Sequence, residues 1–510
     1  MRKILLNLTK ILIVSSLYST SAFAINPVFP SDYPDPSAIR YGKYYYSVAT
    51  SSEWAPVFPI MKSKNMVDWK NVGSVFPKRP KWAVGNFWAP EISMYKNKFY
   101  IYYVGRKKNG PLSISVATSD KPDGKYTDHE PLVGQSVGSI DPMPIADDKG
   151  QRYLIWKEDA NSKNLPTPIW IQKMAEDGLK LIDKPQEILR NDKTWEANLI
   201  EAPYVMKKND YYYMFYSGNA CCGNECNYAM GVARSKTLTG KWEKYANNPI
   251  LKSNEFWKCP GHGSIFNDGK GKDFLIYHAY EINSSVYVGR EGLIDQVTWN
   301  KDGWPSINNG NGASQVVART KNSIDKFSFK DDFMNTHLKS EWQWPQDNEP
   351  NVKIISRGNL VLSQNKKNNA VLAIPSKTAN YTAQIKVNME RSDKKSFSGI
   401  SAYGDAENFI SLGVKNGDLY ILKKEKNKLE TPFKLYLPRD QKNIYLKIDV
   451  TSGYKYKFLY SKDGKNWENL YTEVLGIFLP PWDRGIRIAL VSMGNDNGKS
   501  VFQNMKIIPK

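Results

Sequence analysis

Residues 199–216 read LIEAPYVMKKNDYYYMFY. Glu201 stands two residues before a proline, a polar turn follows at Lys208-Asn209-Asp210, and a run of aromatic residues closes the stretch. The run reads as a β-strand, since aromatic side chains suit a pleated, packed surface. Nothing inside the stretch says whether Glu201 does chemistry or only begins a strand. The rest of the chain decides, because the pattern returns.

An aromatic strand of this kind occurs five times, beginning at Tyr44, Tyr100, Tyr153, Tyr212 and Phe274, at steps of 56, 53, 59 and 62 residues. Most are preceded by a polar turn and followed by a second strand, such as Ser113-Ile114-Ser115-Val116-Ala117 or Met230-Gly231-Val232-Ala233-Arg234. Several units end in a turn with an aromatic residue, as in Asp68-Trp69, Gly124-Lys125-Tyr126, Gly240-Lys241-Trp242 and Asp302-Gly303-Trp304. Helical periodicity is scarce, so the class is all-β. Near-equal spacing of a unit of about four strands favours radial repetition, a five-bladed β-propeller, over one large sandwich.

A polar residue precedes each aromatic strand by 9 to 12 positions: Asp35, Glu91, Asp141, Glu201 and His262. Any one of them alone is an ordinary strand start. Five at one phase of a radial repeat would converge on a central channel. Pro36, Pro90 and Pro142, beside three of them, fit strands with incomplete backbone partners. Carboxylates facing each other across a cleft are the equipment for breaking a glycosidic bond. One protonates the leaving oxygen and another activates water. A third carboxylate nearby raises the acid's pKa by like-charge repulsion. The many Trp and Tyr side chains suit the apolar faces of sugars.

The chain has 510 residues and a formal charge of +20. Residues 1–24 read as a secretory signal: Arg2 and Lys3, an apolar stretch from Ile11 to Leu17, and Ala22-Phe23-Ala24 before the cut. Without that segment the charge is about +17, with lysines scattered rather than clustered. That pattern fits a solvated surface better than a nucleic-acid or membrane partner. Cys221, Cys222, Cys226 and Cys259 are an even set in an exported chain, so two disulfides are expected. A Cys226–Cys259 bridge would leave an adjacent Cys221–Cys222 pair; the spacing is not that of a zinc site.

Tyr33-Pro34-Asp35-Pro36-Ser37, Ser139-Ile140-Asp141-Pro142 and Glu201-Ala202-Pro203-Tyr204, in this order, resemble glycoside hydrolase family 43. Trp88-Ala89-Pro90-Glu91, Val232-Ala233-Arg234-Ser235, Gly261-His262-Gly263-Ser264 and Tyr277-His278-Ala279 add to that resemblance. It implies an inverting glycosidase on a five-bladed propeller spanning 25–305. Asp35 matches the general base, Glu201 the general acid, and Asp141 the residue that tunes and orients the acid. Glu91 matches no catalytic position. Trp88 is a candidate sugar platform, and Arg290 matches a position that often contacts substrate. Cys221 and Cys222, in the loop after the Glu201 strand, are expected to wall a subsite. His262 matches a histidine that helps hold a hydrated calcium or similar ion, structural rather than chemical; the chemistry itself needs no cofactor.

After Trp304-Pro305 the composition changes. Residues 306–325 read as a linker, and from 326 to 510 alternating strands return without the propeller phase, a β-sandwich (jelly-roll). Asp331-Asp332-Phe333 and Glu341-Trp342-Gln343-Trp344 resemble the concanavalin-like domain that accompanies many members of the same family. It is expected to brace the propeller and lend it a loop. The combined expectation is a secreted, monomeric, exo-acting enzyme on plant cell-wall polysaccharide or oligosaccharide, an α-L-arabinofuranosidase first and a β-xylosidase second. An endo-arabinanase or a non-catalytic carbohydrate-binding propeller are the alternatives.

Overall fold

The computed structural model describes residues 26–510 except 316–323, 356–357, 366–368, 439 and 495. The expected leader and its cleavage point at Ala24 lie outside the described residues, as does part of the expected linker. Nearly all regular structure is antiparallel strand.

Five sheets follow one another along residues 29–307. The first runs Ser37–Tyr41, Tyr44–Val48, Val57–Ser63, Trp69–Phe76. The second runs Trp88–Tyr95, Lys98–Arg106, Leu112–Ser119, Thr127–Asp128. The third is Ser139–Ala146, Arg152–Glu158, Ile169–Met174, Leu181–Leu189, and the fourth Ile200–Lys208, Tyr211–Gly218, Ala229–Ser235, Glu243–Lys244. The fifth takes Trp257–Asn267, Asp273–Glu281 and Glu291–Trp299 from its own part of the chain and Phe29–Asp32 from the start. Tight hairpins join the strands. Lys96 and Asn97 both have left-handed φ, 47° and 61°, the type I′ geometry whose twist matches flanking strands.

The aromatic strand of each sheet is buried on both faces, and its period of two divides the work. Tyr46 packs with Phe99, Ile101 and Tyr103 between the first and second sheets. Tyr100 and Tyr102 face the other way, onto Leu154 and Trp156 of the third. Ile155 meets Tyr212 and Met214 of the fourth, and Phe215 meets Leu275 and Tyr277 of the fifth. Phe274 and Ile276 then pack on Ala38 and Tyr45 of the first. The first strands of the five sheets also contact one another in turn, the last with the first.

Each first strand is kinked where it begins. Asp35, Ala89, Asp141, Ala202 and His262 have left-handed φ of 52°, 44°, 57°, 55° and 43°. At the last four the ladder slips register, the mark of a bulge that re-aims side chains. Four kink amides find acceptors on the preceding sheet. Asp35 N–H donates to His278 Nδ1 (3.1 Å), Ala89 N–H to Thr50 Oγ1 (2.7 Å), Ala202 N–H to Asp141 Oδ2 (2.8 Å) and His262 N–H to Ser217 Oγ (2.9 Å). Buried amides freed by the bulges are thus satisfied between sheets.

Residues 329–509 form two further antiparallel sheets around one core that includes Leu360, Ile385, Ile400, Leu412, Ile448 and Ile488. The outer face of one, with Phe397, Tyr403 and Val491, receives Trp54 from the first part. Trp54–Ala55 pairs with Trp344–Pro345, and Arg487 donates through both Nη atoms to Asp32 Oδ2 at 3.2 Å. The stretch expected as a linker begins as structure: Pro305–Ile307 pairs with Glu291–Trp299, and Ile307 and Ala313 are buried.

Candidate active site

Asp35 is 7 % exposed. Its Oδ2 accepts from Thr50 Oγ1 (2.6 Å) and its Oδ1 from Arg290 Nη1 (2.9 Å). Burial opposes ionisation, but the Arg290 guanidinium outweighs it, helped by His262 and His278, and holds the carboxyl well below the usual range. The His278 ring is buried, with Arg290 near it, and is pushed down to about 4. It is therefore neutral, and its Nδ1 lone pair takes the Asp35 amide. Asp35 is a fixed, ionised carboxylate.

Asp141 and Glu201 are bound to each other through the backbone. Asp141 Oδ2 takes the amide of Ala202, so it grips the residue next to Glu201. Glu201 Oε1 accepts from Tyr228 OH (2.8 Å) and Oε2 from Lys157 Nζ (2.8 Å). Lys157 is 1 % exposed and also reaches Asp159 Oδ1 at 3.1 Å. Burial, with the like charges of Glu201 and Asp35, pushes Asp141 up to about 6 against the pull of His262 and Lys157. Glu201 goes the other way: burial raises it, but Lys157 and the Tyr228 hydroxyl more than offset that. The acid was expected to be the raised member of the pair. Lys157 reverses the order, because the ammonium sits on Glu201 and not on Asp141.

The kinks also re-sort the five polar residues. Asp35, Asp141 and His262 are themselves the kinked residue, and Glu201 comes one before it. Trp88 likewise comes one before Ala89, so Trp88 takes the place of Glu201 and Glu91 takes the place of Tyr204. Counting back from the aromatic strand gave Glu91 the common phase, but a bulge adds a residue and breaks such counts. Glu91 stands apart from Asp35, Asp141 and Glu201, pushed up to about 8 by burial, with Ser37 as its hydrogen-bond partner.

Arg290 is buried at the centre, donating from Nη2 to the carbonyl of Asp483 (2.9 Å) as well as to Asp35. Asp483 belongs to the C-terminal part, and its Oδ2 accepts from Ser52 Oγ at 2.9 Å. The preceding residue, Trp482, is 63 % exposed and stands edge-on to Trp88, ring centroids 5.9 Å apart. The accessory part therefore braces the sheets and also lends a loop to the site. Both disulfides form, Cys221–Cys222 and Cys226–Cys259. Cys221 packs on a cluster of Cys226, Cys259, Tyr280 and Tyr228, the tyrosine that binds Glu201. The His262 imidazole lies 3.3 Å from Asp35 Oδ1. Among the described residues no three His, Cys, Asp or Glu side chains are grouped to hold a metal. Calcium takes six to eight oxygen ligands, so one imidazole turned to a carboxylate does not fit a directly bound ion.

Lys157, Tyr228, Thr50 and Trp482 were not singled out from sequence. Lys157 had one signal: it continues the Tyr153, Ile155 alternation toward the fourth sheet, a lysine on a buried face. Trp482 had none, since its partner Trp88 lies almost 400 residues away.

Known proteins resemble this chain in sequence and fold. The model described as glycosyl hydrolases family 43 matches residues 24–305, and that of the beta xylosidase C-terminal concanavalin A-like domain matches 330–499. An extracellular exo-α-(1→5)-L-arabinofuranosidase of Cellvibrio japonicus is 29 % identical over 57 % of this chain and 90 % of its own. A β-xylosidase of Bacillus subtilis is 26 % identical over 87 % of this chain and 90 % of its own. The crystal structure of a family 43 protein from Bacillus licheniformis superposes with a TM-score of 0.79 at 24 % identity, over 96 % of this chain and all of that one, a likeness of fold. The family match spans Asp35, Asp141 and Glu201 and more than half of the chain: the chain belongs to glycosyl hydrolase family 43.

Proposed function

We propose that this chain is a secreted, inverting, exo-acting glycosidase that removes terminal α-L-arabinofuranosyl residues from plant cell-wall polysaccharide or its oligosaccharides. In this reading the five sheets are the blades of a β-propeller, and the C-terminal part is a jelly-roll sandwich. The observation that carries it is the opposite electrostatic setting of carboxyls in one buried cluster: Asp35 ionised under Arg290, and the Asp141–Glu201 pair retaining a proton to about pH 6. Asp35 takes a proton from water as that water attacks the anomeric carbon. Glu201 gives a proton to the glycosidic oxygen as the bond breaks. Asp141 orients Glu201 through the Ala202 amide and keeps the pair's proton available. Trp88 and Trp482 offer faces to the sugar. The chemistry itself requires no cofactor, and a structural calcium near His262, held through water, belongs to the same reading. The loop of Trp482 and Asp483 meets Arg290 and Trp88 at the site, a placement that supports action at chain ends.

Arabinose is favoured by the likeness to the Cellvibrio enzyme, and export by the word extracellular in its name and in that of an endo-α-(1→5)-L-arabinanase of Bacillus subtilis, 26 % identical over 57 % of this chain. Among the described residues no helix is long and apolar enough to cross a membrane. A second reading, β-xylosidase, has its own support: the C-terminal part matches a domain of β-xylosidases. Hydrolysis of the nitrophenyl α-L-arabinofuranoside and β-D-xyloside side by side, with Glu201→Ala as control, separates the two. Activity on neither, with arabinan and arabinoxylan also untouched, would sink both.

A further inference from the structure

Among the described residues Lys157 is the one cation paired with Glu201, and its placement is specific. It lies on the strand Arg152–Glu158, across from Ile140 in register and so one residue from Asp141. Tyr153 and Ile155 share its face, which looks onto the fourth sheet. Its Nζ lies 2.8 Å from Glu201 Oε2 and 3.1 Å from Asp159 Oδ1. A buried ammonium is costly unless paired, and here two carboxylates compete for it. Asp159 is the more exposed of the two, anchored beside the turn Ala160–Lys163 and within the field of Arg106.

We propose that Lys157 is a positioning residue for the acid: held from behind by Asp159, it fixes the Glu201 carboxyl against Tyr228 and stabilises the carboxylate left when Glu201 gives its proton to the leaving oxygen. This rests on Glu201 being the acid. The proton leaves Oε of Glu201, the glycosidic C–O bond breaks, and the new negative charge appears 2.8 Å from an ammonium. A preorganised cation at the place where charge develops lowers the barrier without later rearrangement. The groups facing Glu201 are Lys157 and Asp159 from the third sheet's side, Asp141 from its first strand, Tyr228 from the fourth sheet's loop and His262 from the fifth sheet. Asp141 raises the acid and Lys157 lowers it. Lys157 therefore sets how strong an acid Glu201 is, and Asp159 sets how much of Lys157 is available.

The test compares Lys157→Met, Lys157→Arg, Asp159→Asn and Glu201→Ala in the full chain. Each is assayed across pH on a nitrophenyl glycoside, whose leaving group needs little protonation, and on an unactivated oligosaccharide. Lys157→Met should move the alkaline limb of kcat/KM up by about one pH unit and slow the oligosaccharide about tenfold more than the nitrophenyl substrate. Lys157→Arg should return the limb toward that of the parent. Asp159→Asn frees Lys157 for Glu201 and should move the limb down, a readout that survives if Lys157→Met does not fold. Equal slowing of both substrates with an unmoved limb, or an unmoved limb in Asp159→Asn, would overturn the role of Lys157. If Glu201→Ala spares the oligosaccharide rate, the acid assignment itself has failed.

Discussion

Asp35 and Asp141 occupy the same kink of their respective strands, with φ of 52° and 57°, yet their neighbours drive them in opposite directions. Both are buried, which disfavours charge. Arg290 touches Asp35 and overturns that penalty; Asp141 touches an amide and faces two carboxylates. The same backbone place thus yields one permanent carboxylate and one group that titrates near pH 6.

The first prediction concerns Arg290. Asp35 must be ionised to act as base, and Arg290 is what keeps it so. Arg290→Met should raise the Asp35 pKa, so the acidic limb of kcat/KM moves to higher pH. The variant should also lose about 3–5 kcal/mol, since a buried carboxylate is left without its partner. A pH–rate profile together with thermal unfolding checks both. An acidic limb that stays where it was would count against Asp35 as the base.

Asp141→Asn removes a negative charge beside Glu201 while leaving an oxygen to accept the Ala202 amide. The acid's pKa should fall, and the alkaline limb should move down by about one unit, with the fold intact by circular dichroism. Loss of rate without movement of the limb would leave Asp141 an orienting role alone.

Arg487 and Asp32 tie the two parts of the chain together, and Asp32 Oδ1 also accepts the Arg290 amide at 3.2 Å. Arg487→Met leaves Asp32 buried and unpaired on that side. Stability should drop by about 3–5 kcal/mol, and kcat/KM should fall with it because Arg290 loses its support. Calorimetry gives the answer; a loss under about 0.5 kcal/mol, typical of a surface change, would mean that the bridge does not hold the parts together.

Trp482 is the opposite case. It is exposed, so Trp482→Ala should change stability by no more than about 0.5 kcal/mol. KM for oligosaccharides should nonetheless rise several-fold, because a stacking face at the mouth is gone. Equal KM values for parent and variant would remove Trp482 from the site.

The sequence carried the repeat. Five aromatic strands at near-equal steps announced five sheets, since a strand covered on both faces is mostly apolar along its length, and such runs are visible in the sequence itself. It also carried Asp35, Asp141 and Glu201, each at a strand head with a proline one or two residues on. It misplaced Glu91, since a bulge shifts the count between a strand and its head. It missed Lys157 as a partner of Glu201, for a lysine on a strand says nothing about which carboxylate will face it.

What the sequence determined by itself is therefore local: strand period, turn chemistry, and which residue types stand at the strand heads. Tertiary structure alone decided the charge states. Whether a buried carboxyl is ionised depends on the cation within hydrogen-bond reach, and Arg290 and Lys157 arrive from 255 and 44 residues away. Coulomb interactions in a buried site fall with distance in space, not with separation along the chain. In LIEAPYV the glutamate could be found, but the cation that pairs with it, Lys157, came from another sheet.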